Sequence, residues 1–216
     1  FQLRASPIRL PKFRSNRDLR HYLHNAVTKP VLVLGVSSGH HDAAISALMF
    51  DSSQKGQARL IAMNHSERFS GIKNDPSLSK DAVSSLLIAI DSYSNVNQHN
   101  FFDQPVIIVQ HQSAWKSNYH SLTKKFEGYA AAKRTETQLQ VALADHGYVS
   151  QIWTSVEHHE AHAWAAWGTS NHQSALIAIV DAVGETETAT SWFGSDLNNG
   201  GLEKLESQTL KYPHSF

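Results

Sequence analysis

The chain has no cysteine. This excludes a disulfide scaffold, thiolate catalysis and every thiolate metal site, so any transition metal has to be held by imidazole, carboxylate or water. Net charge is also missing, since 19 Lys and Arg balance 19 Asp and Glu over 216 residues. Without a bulk positive field, neither nucleic acid nor an anionic membrane is expected as a partner. No apolar run approaches the roughly 20 residues of a membrane-spanning helix. The hydrophobic fraction of 41% is still enough to build a core. The length fits one domain, or a lobe and a half of a larger two-lobed one.

Histidine is abundant instead, with 14 residues. These side chains titrate near neutrality, so the chain turns cationic as pH falls below their ordinary pKa. Their placement carries more information than their number.

Residues 1–29 hold Arg4, Arg9, Arg14, Arg17 and Arg20 against a single acid, Asp18. The segment reads as a basic arm or linker, with a mitochondrial-type transit segment as the alternative; Pro7, Pro11 and Asp18 interrupt the amphipathic helix such a segment needs. A cytoplasmic location is otherwise expected. From residue 30 the pattern becomes globular. Val31 to Val36 is a continuous apolar run of strand length, Ala43 to Phe50 a second strand and Ala58 to Met63 a third, giving an antiparallel meander. Val83, Leu86, Leu87 and Ile90 recur at helical spacing. Residues 105–109 return to the sheet, and 110–134 read as a loop or irregular helical insertion. Thr135 and Gln138 suggest a capping box opening a helix through Leu139, Ala142, Leu143 and His146, with Gly147 ending it. A strand at 151–156, a His-rich helix and a strand from Ala175 to Val180 running into Asp181 follow. Two more strands, 188–193 and 202–210, flank an Asn-Asn-Gly-Gly turn. The order β-β-β-α-β-α-β-α followed by further strands predicts an α/β, RNase-H-like lobe of the actin and sugar-kinase type, part of a two-lobed domain.

The chemistry centres on Glu157-His158-His159-Glu160-Ala161-His162-Ala163-Trp164. On a helix, His158 and His162 at i and i+4 share one face and can share a small cation, while His159 turns away. The His-Glu-x-x-His pattern of zinc proteases is absent, because only Ala161 separates Glu160 from His162; this disfavours a metallohydrolase with a helix-borne glutamate base. Asp181, at the end of an apolar strand, is the candidate third ligand. The competing reading makes the two histidines helix-surface residues and Asp181 a strand-end cap.

These segments resemble the nodulation and antibiotic O-carbamoyltransferases. The resemblance rests on four ordered motifs: Leu34-Gly35-Val36-Ser37 with His41-Asp42-Ala43-Ala44, Glu67-Arg68-Phe69-Ser70-Gly71-Ile72-Lys73-Asn74-Asp75, His158-His159-Glu160-Ala161-His162-Ala163, and Val180-Asp181-Ala182-Val183-Gly184-Glu185. It implies an iron or zinc ion on His158, His162 and Asp181, with a fourth ligand from a second lobe beyond Phe216. It also implies carbamoyl transfer from carbamoyl phosphate, through ATP-derived carbamoyl adenylate made by a further domain, to a hydroxyl of a small-molecule acceptor. On that reading His41 is the base, oriented by Asp42, and Arg68, Lys73, Gly184 and Glu185 contact donor or nucleotide. The alternative for His41 is a turn histidine bonded to local backbone. Ala182 and Leu78-Ser79 depart from the family pattern, and the fragment is expected to be inactive alone. A tRNA threonylcarbamoyl transferase-like enzyme and a non-enzymatic actin-like nucleotide-binding lobe are the two alternatives.

Overall fold

The computed structural model describes residues 29–39, 41–51, 57–111, 122–184, 187–195 and 201–210. The basic arm therefore lies outside the described residues, as do most of the 110–121 segment and the Asn-Asn-Gly turn. The chain divides into two compact units, one formed by residues up to Gln110 together with Ala130–Thr154, the other by His111–Tyr129 and Ser155 onward.

The first unit is a five-stranded mixed sheet in the order β3-β2-β1-β4-β5. Its strands are β1 (Val31–Ser37), β2 (Ala44–Asp51), β3 (Gln57–His65), β4 (Val106–Gln110) and β5 (Gln151–Ser155). β1, β2 and β3 pair antiparallel, whereas β1 and β4 are parallel. That combination is the RNase-H-like sheet, and it confirms the expected fold class. The alternating Leu32, Leu34 and Val36 of β1 and Ile45, Ala47 and Met49 of β2 put one side-chain row on one face. Against it pack helix α2 (Lys80–Asn97), preceded by the short α1 (Glu67–Ser70), and helix α3 (Leu122–Asp145). Val83, Leu86, Leu87 and Ile90 of α2 are buried as their spacing predicts. Leu139 and Leu143 of α3 join the same core.

Two local readings need correction. The segment expected as a loop up to residue 134 is helical from Leu122, so Thr135 caps nothing: it is a buried interior position of α3. Gln138 reaches sideways instead, its Nε2 donating to the Leu78 carbonyl at 3.1 Å. The basic and polar residues of 122–134 concealed a helix that runs from Leu122 to Asp145. Gly147, by contrast, ends α3 as expected. It adopts φ +89°, and the Tyr148 amide bonds Leu143 O at 2.8 Å while its own amide bonds Ala144 O at 2.9 Å, the paired bonds of a Schellman turn. A Cβ at this position would meet the Phe102 ring at 3.2 Å. Gly147→Ala is therefore expected to cost about 1–2 kcal/mol, from the left-handed backbone plus the ring contact, read as a lowered denaturant midpoint at constant slope. An unchanged midpoint would contradict this account of the turn.

The second unit contains helix α4 (His158–Gly168) and a separate antiparallel sheet, β6 (Ala175–Gly184), β7 (Glu187–Gly194) and β8 (Leu202–Gln208), in that order. Its own small core holds Ala163, Trp167, Ile177 and Trp192. Among the described residues no helix is long and apolar enough to cross a membrane.

Candidate metal centre

α4 follows Glu157, which is extended at φ −66°, ψ 150° and makes no side-chain cap bond. Alanines at 161, 163, 165 and 166 favour the helix that follows. His159, Ala163 and Trp167, at i, i+4 and i+8, form its buried face. His159 is thus a structural residue: at 1% exposure its Nδ1 lies 3.0 Å from Thr190 Oγ1 on β7. Thr190 Oγ1 also accepts the Trp192 indole N–H at 2.8 Å, so one hydroxyl ties His159 and Trp192 together. This chain of bonds fixes the rotation of α4 on the sheet. His159 turns away from the pair as expected, but the sequence reading gives it no role; the spacing of Ala163 and Trp167 behind it is the signal that points to one.

With that face anchored, His158 and His162 share the adjacent face. Their Nε2 atoms are 3.1 Å apart and their rings stand edge to face at 77°, with centroids 4.7 Å apart. Asp181 Oδ2 lies 2.8 Å from His158 Nε2. The three ligand atoms all fall within 4.8 Å of one another. Asp181 is not at a strand end as expected: β6 runs on to Gly184, and the pairing with β7 breaks register between Val180 and Gly184. The break takes Asp181 out of the regular backbone ladder with β7.

The donor set suits a cation, because the lone pairs of His158 Nε2, His162 Nε2 and Asp181 Oδ2 can all be directed at one ion. Two nitrogens on one zinc ion at tetrahedral angles stand about 3.3 Å apart, close to the spacing found here. Burial, then the neighbouring His158, pushes the His162 pKa below 6.5 against the opposite pull of Asp181, so the lone pair is available at neutral pH. Burial likewise lowers His159, with Glu187 pulling the other way. His162 is exposed while His158 and Asp181 are half-buried, which leaves one side of the trio open. Coordination through Nε2 places the His158 ring proton on Nδ1, a buried atom without a hydrogen-bond partner among the described residues. The ring of His111 stands beside it, with centroids 5.8 Å apart, a neighbour the sequence gave no reason to single out.

The depressed histidines set a pH dependence. The unfolded chain takes up protons near 6.5 while the folded chain resists until lower pH, so the metal-free protein loses stability as pH falls below 6.5. Above that value these two groups leave stability flat. Melting temperatures between pH 7.5 and 5 are expected to fall on the acid side; a rise on acidification would contradict the assignment.

Of the other predicted site residues, His41, Asp42, Arg68 and Lys73 lie in the first unit, and His41 and Asp42 are in contact. His41 Nδ1 lies 2.8 Å from Asp42 Oδ2, and His65 Nε2, which the sequence reading overlooked, lies 3.6 Å from Asp42 Oδ1. Asp42 holds φ +53° in the left-handed region. The Glu67–Asp75 stretch buttresses this turn: Ala43 N bonds Asp75 O at 2.8 Å, Gly39 N bonds Pro76 O at 2.8 Å and Ser66 N bonds Ala43 O at 2.8 Å. Glu67 Oε2 accepts the Asn74 amide at 2.9 Å, closing the loop on itself. Arg68 and Lys73 point to solvent and touch no acid among the described residues. Gly184 is the last residue of β6, and Glu185 lies outside the described residues.

No protein-family model matches the chain. It is 26% identical over 197 residues to sll1178 of Synechocystis, a protein described as uncharacterized, and spans 30% of that protein's length. Among solved structures it is similar to a Ppx/GppA family member of Aquifex aeolicus (15% identity, 84% of this chain and 51% of that one, TM-score 0.34). It is also similar to an exopolyphosphatase of Cytophaga hutchinsonii (8%, 85% and 51%, TM-score 0.41) and to Thermus thermophilus RuvC (12%, 66% and 72%, TM-score 0.33). The sheet order defines a mixed α/β chain of RNase-H-like fold.

The carbamoyl-transfer expectation is corrected by these findings, which contain no family match and Ppx/GppA proteins where carbamoyltransferases were expected. The physical reason is visible in the first two motifs. Gly35 to Ala44 and Glu67 to Asp75 are a strand, a turn and the loop that buttresses it, bonded backbone to backbone. Such residues build a scaffold that serves many chemistries, so their order identifies fold and not reaction. Carbamoyl phosphate, carbamoyl adenylate and the threonylcarbamoyl alternative fall with that correction.

Proposed function

We propose that the second unit carries a mononuclear site for a divalent transition metal, with zinc as the best-fitting ion, held by His158, His162 and Asp181. The reading is carried by the convergence of two imidazole nitrogens and one carboxylate oxygen, from helix α4 and strand β6, within 4.8 Å. Two histidines and a carboxylate with open coordination positions are the ligand set of catalytic zinc and of non-haem iron(II), whereas a closed structural site has four protein ligands. When bound, the ion supplies a Lewis acid for a phosphoryl or carbonyl oxygen. The chain's own contribution is to keep His162 unprotonated, to fix α4 through His159 and Thr190, and to leave the exposed side of His162 accessible to an oxygen-bearing substrate.

Cobalt(II) provides the test, because its visible bands report geometry and ligand exchange. The cobalt-loaded chain is expected to show the bands of a four- or five-coordinate ion that shift when inorganic phosphate is added. A spectrum identical to aqueous cobalt refutes metal binding, and bands unmoved by phosphate refute the open position.

A further inference from the structure

The first unit carries a groove lined by residues of α2 and α3. A cavity of about 810 Å³ opens along the groove between α2 and α3. The contacts Gln138 to Leu78 and His146 to Asp91 show the two helices advancing in the same direction, so the groove has two distinct ends. At one end stand Lys80 and Arg134, both exposed and neither paired with an acid among the described residues. Lys133 adds positive charge there while bonded to Glu136 at 2.6 Å. The middle is walled by Val83, Val141 and Ala142, of which Val141 is left 56% exposed. Asp145 marks the far end, about 16 Å from Arg134 at 1.5 Å per residue.

From this polarity we infer that the groove binds a single anionic amphiphile: a phosphate, sulfonate or carboxylate head at Lys80 and Arg134, and an acyl or aromatic body along Val83, Val141 and Ala142. Two unpaired cations beside an apolar trough match such a molecule in charge and shape. Guanidinium takes a phosphate or carboxylate head in two parallel bonds, and the exposed Val141 is removed from water by the body. Asp145 repels the head from the opposite end and so fixes one orientation. The volume is of the size that holds one small molecule. A cationic head or a neutral lipid leaves Lys80 and Arg134 unanswered.

The probes are 8-anilinonaphthalene-1-sulfonate, followed by fluorescence, and decyl phosphate as competitor below its micelle concentration. One saturable site is expected, emptied by decyl phosphate. The double variant Lys80→Glu/Arg134→Glu and the single variant Val141→Asp should each weaken both ligands at least tenfold, with unchanged circular dichroism and melting temperature. All three positions are exposed, so folding is not at issue. The inference is overturned if no saturable binding occurs, or if binding survives both variants unchanged. It is also overturned if the chain associates with anionic vesicles but not with monomeric decyl phosphate, which identifies a membrane surface. Concentration-dependent dimerisation abolished by Val141→Asp, with no displacement by decyl phosphate, identifies a second copy of the chain and overturns it equally. The residues involved are separate from His158, His162 and Asp181, so loss of either site leaves the other testable.

Discussion

Replacing His162 by alanine is expected to lower metal affinity at least about 100-fold, measured by competition with a coloured chelator at pH 7.5. Loss of an outer-sphere partner alone costs 10–100-fold, and His162 supplies one of three direct donor atoms. The neighbouring residues make the result specific. Asp181→Asn retains the shape but removes the negative charge and should weaken binding by a comparable factor. His159→Gln, one position from His158 but turned into the core, should lower affinity less than His162→Ala while lowering stability more, because its bond to Thr190 anchors the helix and donates nothing to the ion. If His159→Gln abolished binding and His162→Ala left it intact, the ligand assignment would be wrong.

The second large effect is expected at the seam between α4 and β7. A Cβ on Gly194 would stand 2.5 Å from the Trp167 ring, and Trp167 is a core residue that has no room to retreat. Gly194→Val is therefore expected to destabilise the second unit by about 3 kcal/mol, the upper range for overpacking a closed core. Trp167→Ala attacks the same contact from the other side and should cost about 3–5 kcal/mol through the cavity it leaves. Both substitutions are remote from the donor atoms, yet both should loosen the seating of α4. The expected signature is metal affinity that falls with stability and is regained at lower temperature, where the folded helix is repopulated. Affinity unchanged in a strongly destabilised Gly194→Val chain would show that α4 needs no seat on β7 to hold the histidines.

The extent to which this was legible beforehand differs by element. The β1–β2–β3 meander and α2 declared themselves because alternation and helical spacing are direct consequences of one buried face. The start of α3 did not: Leu122, Phe126 and Tyr129 recur at i, i+4 and i+7, but the basic residues among them and the apparent cap at Thr135, which sits inside the longer helix, masked that spacing. His158 and His162 were visible as an i, i+4 pair and Asp181 as their partner, but Asp181 was misplaced at a strand end because the bulge after Val180 has no sequence signature. The structure placed His159 in the core, where its bond to Thr190 depends on a strand some thirty residues later that no local pattern reveals. The reaction was the least legible feature. The backbone hydrogen bonds of the His41–Ala44 and Glu67–Asp75 motifs form a turn and its buttress, and a shared scaffold of this kind does not specify a reaction.

The central claim is that three side chains converge to hold one ion, and zinc stoichiometry by equilibrium dialysis with elemental analysis tests it most directly. At saturating zinc and pH 7.5 the chain is expected to retain one equivalent, and the triple variant His158→Ala/His162→Ala/Asp181→Asn none, with its first unit still folded by circular dichroism. A folded native chain that retains no zinc, or a triple variant that retains a full equivalent, would contradict the account.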